Sequence, residues 1–173
     1  MKGCNKLVDV GRRQFLRGGA VATVGAVASA VVPSTSKAKP LPARVQYPSN
    51  RLANISELEV NEPLHISYPD EDSPGVLLKL GTPVDGGVGP DRDIVAFSTL
   101  CPHKGFPLVY VAEDKTLSCP GHYSLFDCEK GGLQIMGQAT QNLPQFALRV
   151  DDKGDIYAEG VDELIYGRLS NVL

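Results

Sequence analysis

The sequence predicts an all-β fold on three observations. Short runs rich in Val, Ile, Leu and aromatic residues recur along the chain, separated by turn-forming clusters. Gly and Pro are abundant, at 18 and 13 of 173 residues. No long stretch carries the 3.6-residue apolar period of an amphipathic helix. The length admits one domain and an N-terminal extension.

Residues 1–38 read as that extension. Gly11-Arg12-Arg13-Gln14-Phe15-Leu16-Arg17 precedes an apolar stretch of small residues over 18–32, then Pro33 and a polar run. Adjacent arginines, Phe-Leu and a mildly apolar segment resemble a twin-arginine export signal. The apolar stretch is shorter than the roughly 20 residues that span a bilayer, so no stable membrane span is expected. Ala28-Ser29-Ala30 and Ser36-Lys37-Ala38 both have the small-x-small form of a cleavage site. Cys4 precedes the apolar stretch and is therefore not placed as a lipoprotein cysteine. The extension holds six Lys or Arg and one Asp, a net of +5, which leaves −8 on the remainder of a chain whose total is −3. A basic tip on an acidic body argues for targeting and against nucleic-acid binding. The twin-arginine route carries folded, cofactor-loaded proteins, so the expected location is the periplasm.

The domain is expected over residues 39–173. Residues 38–50 hold three Pro and read as an extended linker or a first edge strand. Strands are predicted over 64–68, 76–80, 94–99, 108–111, 146–150 and 155–159, with Asp151-Asp152-Lys153-Gly154 as a hairpin turn between the last two. Residues 81–93 form a Gly- and Pro-rich loop long enough to touch a partner. Residues 161–173 read as a short terminal helix or an extended tail.

The candidate chemistry lies inside that series. Cys101-Pro102-His103 and Cys119-Pro120-Gly121-His122 each offer one thiolate and one imidazole, with fifteen residues between them. Two Cys and two His suit a [2Fe–2S] centre in which both thiolates hold one iron and both imidazoles the other. Exchanging two thiolates for neutral imidazoles removes two negative charges. An added electron then meets less repulsion, and the potential rises to between about −150 and +300 mV. The same residues also suit a tetrahedral structural Zn²⁺. Against zinc, the one-residue gap between Cys101 and His103 is unusual, and a zinc staple gives no reason for export of a folded protein.

The remaining reactive residues have bland readings. With Cys101 and Cys119 as ligands and Cys4 in the leader, Cys128 has no partner for an internal disulfide and reads as a small core residue. His65, in Leu64-His65-Ile66, reads as a packed or surface strand residue. Asp127 and Glu129 read as turn residues whose charge can bias docking or potential. Lys104 reads as a cation that favours the reduced state or pairs with a partner.

Cys101-Pro102-His103-Lys104-Gly105 and Cys119-Pro120-Gly121-His122-Tyr123-Ser124-Leu125-Phe126-Asp127 resemble the two cluster-binding boxes of the Rieske family. Gly137-Gln138-Ala139 with Leu143-Pro144-Gln145-Phe146-Ala147-Leu148 resembles its third, proline-containing loop, which covers the cluster. The resemblance spans about residues 94–160. It implies a base of antiparallel sheets with a smaller cluster-binding lobe over about 100–144, and one Rieske-type [2Fe–2S] cluster. By the same resemblance Cys101 and Cys119 bind one iron, His103 and His122 bind the other, and Ser124, Phe126 and Pro144 surround them. No residue of the chain is expected to be catalytic.

The departures from the family pattern are informative. Respiratory Rieske proteins of cytochrome bc complexes carry a further Cys in each box, and the pair forms a clamping disulfide. Phe106 and Gly121 stand at those positions here. High-potential members have a Ser that hydrogen-bonds a cluster sulfide and a Tyr that hydrogen-bonds a ligand thiolate. Ser124 matches the first, and Phe126, with no hydroxyl, stands at the second. Hydrogen bonds to sulfur stabilise the reduced form. The potential is therefore expected below that of respiratory members and above that of ferredoxin-like members lacking the Ser.

A small, exported Rieske protein without a catalytic domain is most similar to the small subunits of arsenite oxidases, over nearly the whole chain. That resemblance implies a large catalytic partner holding molybdopterin and an iron–sulfur cluster, where arsenite is oxidised. It also implies a periplasmic cytochrome c or copper protein as electron acceptor. The runner-up is a Rieske subunit of a cytochrome bc-type complex.

Overall fold

Two stretches, Val76-Leu77-Leu78 and Ile94-Val95-Ala96-Phe97, are continuously apolar, and the middle layer of the fold explains why. The computed structural model describes residues 46–172. Strands β2 (Leu64–Ser67), β3 (Pro74–Lys79) and β4 (Ile94–Ser98) form an antiparallel sheet in the order β2-β3-β4. Its register pairs Val76 with Phe97, Leu77 with Ala96 and Leu78 with Val95. Successive side chains point to opposite faces. Val76, Leu78, Val95 and Phe97 enter one core, with Cys101, Leu117, Cys119, Phe126 and Leu143. Leu77, Ile94 and Ala96 enter another, with Ala53, Tyr68, Phe146 and Ile156. A sheet buried on both faces loses the polar half of its alternation.

The second core is closed by β1 (Asn50–Asn54), β9 (Phe146–Val150) and β10 (Asp155–Val161), in the order β1-β10-β9. The predicted hairpin between β9 and β10 is present: Asp151 N–H donates to Asp155 O at 3.0 Å, and Gly154 N–H to Asp151 O at 3.0 Å. Strand β1 begins at the last residue of the predicted linker, and residues 46–49 have no regular structure. Its edge is anchored by Asn54, which caps a 3-10 turn at Ile55–Glu57.

The first core is closed by a lobe inserted between β4 and β9. Strands β5 (Val109–Val111), β6 (Thr116–Ser118), β7 (Leu125–Asp127) and β8 (Leu133–Met136) form one antiparallel sheet in chain order. Only β5 among them is predicted from the sequence. β5 is as short but is wholly β-forming, Val-Tyr-Val, whereas the other three mix polar residues into three or four positions and show no such run. The lobe leaves and rejoins the base at one place, where Ser98 N–H donates to Pro144 O at 2.9 Å.

Residues 81–93 fold back on themselves, with Val84 N–H donating to Arg92 O at 2.9 Å and Val88 bridging Ile94. Residues 162–172 form no helix and run as an extended tail with turns. Among the described residues, no helix is long and apolar enough to cross a membrane. The twin-arginine pattern, both cleavage candidates and Cys4 lie outside the described residues.

Candidate metal centre

The two Cys–His pairs sit on loops closed in the same way. In the first, Cys101 N–H donates to Phe106 O at 2.9 Å and Gly105 N–H to Cys101 O at 2.7 Å. In the second, Cys119 N–H donates to Ser124 O at 2.8 Å and Tyr123 N–H to Cys119 O at 3.1 Å. Each is a six-residue turn whose fifth residue is left-handed, Gly105 at φ 68° and Tyr123 at φ 57°. A non-glycine residue there costs roughly 1–2 kcal/mol, so the second loop holds local strain beside its histidine. The unequal spacings put His103 at the third position of its turn and His122 at the fourth. His103 is half-buried and His122 exposed.

The side chains converge. Cys101 and Cys119 are each 1% exposed, and their thiols are close enough to interact. Burial pushes the Cys101 thiol up, while the backbone N–H groups of His103 and Lys104 point at its sulfur and favour the thiolate. The His103 and His122 rings meet edge-to-face, with centroids 4.7 Å apart and planes at 79°. His103 Nδ1 is buried with no hydrogen-bond partner. An orphaned imidazole nitrogen beside a thiolate cradle is the donor set of a metal centre. Among the described residues, no three His, Cys, Asp or Glu side chains surround a point that could hold a single ion. One thiol pair beside one imidazole pair fits two irons, each taking two protein ligands.

The surroundings tie the third loop to the second. Ser124 is fully buried. Its Oγ accepts from Gln138 N–H and Ala139 N–H, both at 3.0 Å. Both acceptor positions are thus used by the third loop, which leaves the hydroxyl proton free to donate. Ser124→Ala is expected to destabilise the protein by about 2 kcal/mol, because it orphans buried amide groups, and to lower the cluster's midpoint potential. Urea unfolding and a redox titration check the two effects separately. Phe126 is fully buried in the core that also holds Cys101 and Cys119. Pro144 is buried, and its carbonyl holds the third loop to β4.

Phe106 and Gly121 touch. A Cβ on Gly121 would lie 2.9 Å from Cγ of Phe106, and the Phe106 ring meets His122 edge-on at 5.8 Å. The two loops are therefore joined by packing at the positions where the resemblance places a disulfide in respiratory members. Cys101, Cys119 and Cys128 are all free.

The other singled-out residues lie outside this convergence. Burial pushes the Cys128 thiol up to about 12, as expected for an inert core cysteine. Asp127 Oδ1 caps a 3-10 turn at Cys128–Lys130, and Glu129 pairs with Lys115 at 2.8 Å, so both carboxylates serve turns. Lys104 is exposed and is in none of the ion pairs among the described residues. His65 lines a separate cavity of about 240 Å³ with Val76, Thr99 and Tyr110. One contributor has no signal in the sequence: Tyr166 of the tail rests on Gly105 of the first loop.

Comparison with known proteins identifies the family. The Rieske [2Fe-2S] domain family matches residues 50–147. Iodate reductase subunit IdrB of Denitromonas iodatirespirans is 43% identical over 164 residues, covering 92% of this chain and 85% of that protein. Iodate reductase subunit IdrB of Pseudomonas sp. strain SCT is 40% identical over 159 residues, covering 90% and 81%. The soluble domain of Rieske protein II (soxF) from Sulfolobus acidocaldarius has a TM-score of 0.61 at 27% identity, over 66% of this chain and 78% of that one. With both Cys–His loops, all three sheets and the third loop in place, the chain belongs to the Rieske [2Fe–2S] family, and its cofactor is one Rieske-type [2Fe–2S] cluster.

Proposed function

We propose that this chain is the electron-transfer subunit of an exported oxidoreductase whose separate, molybdopterin-containing subunit acts on an oxyanion. The observation that carries it is the site itself: two Cys–His pairs on matching turns, with a buried, unpartnered His103 Nδ1. In this reading Cys101 and Cys119 hold one iron, and His103 and His122 hold the other. The cluster supplies one-electron transfer at a potential raised by the two neutral ligands. The residues of the chain shape that transfer. Backbone N–H groups at Cys101 favour the ligating thiolate, Ser124 presents a hydroxyl proton, and exposed His122 offers the edge through which a docked partner exchanges electrons.

Support for the substrate class comes from the relatives. Two relatives that match at least 90% of this chain are named as subunits of iodate reductase, whereas the leader and boxes resemble the small subunits of arsenite oxidases. Iodate is the reading the relatives favour, with arsenite second. The two differ in the direction of flow. For an iodate reductase, electrons enter from a periplasmic cytochrome c or copper protein and leave to the catalytic subunit; for an arsenite oxidase the order reverses. The twin-arginine pattern supports a periplasmic location. A cytochrome bc-type role is disfavoured by Phe106 and Gly121, since no disulfide joins the loops among the described residues. A zinc-stapled module is disfavoured by the match of residues 50–147 to the Rieske [2Fe-2S] domain family.

The test is purification from the native host, followed by EPR of the reduced complex. A molybdenum-containing large chain should accompany this one. Iodate should reoxidise the cluster if the favoured reading holds, and arsenite should reduce it under the second. Purification alone, or a cluster indifferent to both, overturns the proposal. A redox titration is expected to place the midpoint below that of respiratory Rieske proteins and above that of ferredoxin-like members lacking the serine. A value level with the respiratory class would show that Phe126 does not set the difference.

A further inference from the structure

The tail after β10 lies beyond the family match, which ends at residue 147. It is nonetheless firmly held. Ile165 is 1% exposed and enters the base core. Asn171 is buried and ties the tail to itself and to the start of the domain. Its Oδ1 accepts from Ile165 N–H at 2.9 Å, and its Nδ2 donates to Glu163 O at 2.8 Å and to the Tyr47 hydroxyl at 3.2 Å. Arg168 makes a two-pronged pair with Asp70, at 2.7 and 2.6 Å. Gln141 of the third loop donates to Leu164 O at 3.3 Å.

Between these anchors the tail places the Tyr166 ring against Gly105. A Cβ on that glycine would lie 2.4 Å from Cε1 and 2.5 Å from Cδ1 of the ring. Gly105 is the left-handed residue of the first ligand loop, and its N–H closes the loop on Cys101 O at 2.7 Å. The ring packs against that turn and, although Tyr166 is itself 40% exposed, gives its closing segment an apolar contact. The equivalent residue of the second loop, Tyr123, is 73% exposed. The cover is therefore specific to the loop that carries His103.

We propose that the C-terminal tail is the clamp of the first ligand loop, and that Tyr166 is a positioning residue that holds His103 through Gly105. This rests on His103 being a cluster ligand, as read above. The hydroxyl of Tyr166 makes none of the hydrogen bonds found among the described residues, so the ring is the working part. The clamp acts on the geometry and lifetime of the centre and touches neither iron nor substrate.

The test uses the full-length holoprotein with Tyr166→Ala, Tyr166→Phe and, separately, His103→Ala. Hydrogen exchange of the peptide spanning 101–108, read by mass spectrometry, reports the loop whether or not a cluster is bound. Losing one aromatic contact over a local opening should speed that exchange about tenfold in Tyr166→Ala. The peptide spanning 119–125 should be unchanged. Bleaching of the cluster by a chelator should quicken in parallel, and Tyr166→Phe should restore both rates. Tyr166→Leu serves where the alanine protein does not fold, and should fall between the two. Wild-type exchange at 101–108 in Tyr166→Ala, with the Rieske EPR signal lost in His103→Ala, overturns the clamp alone. A Rieske signal retained in His103→Ala overturns the ligand reading, and with it the positioning role.

Discussion

Cys119→Ser is expected to abolish the Rieske spectrum while leaving the base of the domain folded. A serine hydroxyl is a poor replacement for a thiolate on iron, and Cys119 is 1% exposed, so bulk water has little access to take its place. Metal–ligand free energy in structural sites reaches on the order of 10 kcal/mol and is coupled to folding. Its loss should fall on the two ligand loops, which otherwise meet through ring contacts and the Phe106–Gly121 packing. The base has its own core, built from Leu77, Ile94, Phe146 and Ile156. Iron content per chain, EPR and far-ultraviolet circular dichroism separate the outcomes. Full iron content with an unchanged spectrum would remove Cys119 from the ligand set.

Gly137→Ala is expected to destabilise the protein by about 3 kcal/mol or more, from backbone strain together with the loss of buried hydrogen bonds. Gly137 has a φ of 100°. A Cβ there would lie 2.3 Å from Ser124 Cα, 2.5 Å from Ser124 N and 2.6 Å from Tyr123 O. All three are backbone atoms of the second ligand loop, so no side chain can swing aside. The third loop would have to lift, and the bonds from Gln138 and Ala139 to Ser124 Oγ would go with it. Chemical denaturation measures the loss, and a shift in midpoint potential reports the freed serine. Wild-type stability in this variant would mean that the third loop does not rest on Ser124.

Several parts of this structure were legible before any fold was known. Strand β9 falls over the predicted residues, and β2, β3, β4 and β5 fall within one or two residues of them. The relevant patterns are local: apolar runs bounded by turns. The boxes are local as well, since each thiol and its imidazole belong to a single six-residue turn. Strands β6, β7 and β8 were not legible, because polar residues interrupt each short run and none shows the unbroken β-forming composition of β5. The tail's sequence fits a short helix and an extended chain alike, because its order comes from Asn171 and Arg168 reaching partners elsewhere.

By itself the sequence determined the two Cys–His boxes, the all-β character and the absence of a cysteine pair to clamp the loops, because residue type and short spacing suffice for each. Only the tertiary structure decided which face of β3 and β4 meets the ligand lobe, since an apolar run buried on both sides carries no directional signal. It also decided that Phe106 lies on Gly121 and that Tyr166, 61 positions after Gly105, covers the first turn. Such contacts depend on where distant backbone segments pass one another. A glycine records only that something stands close, and the fold shows what it is.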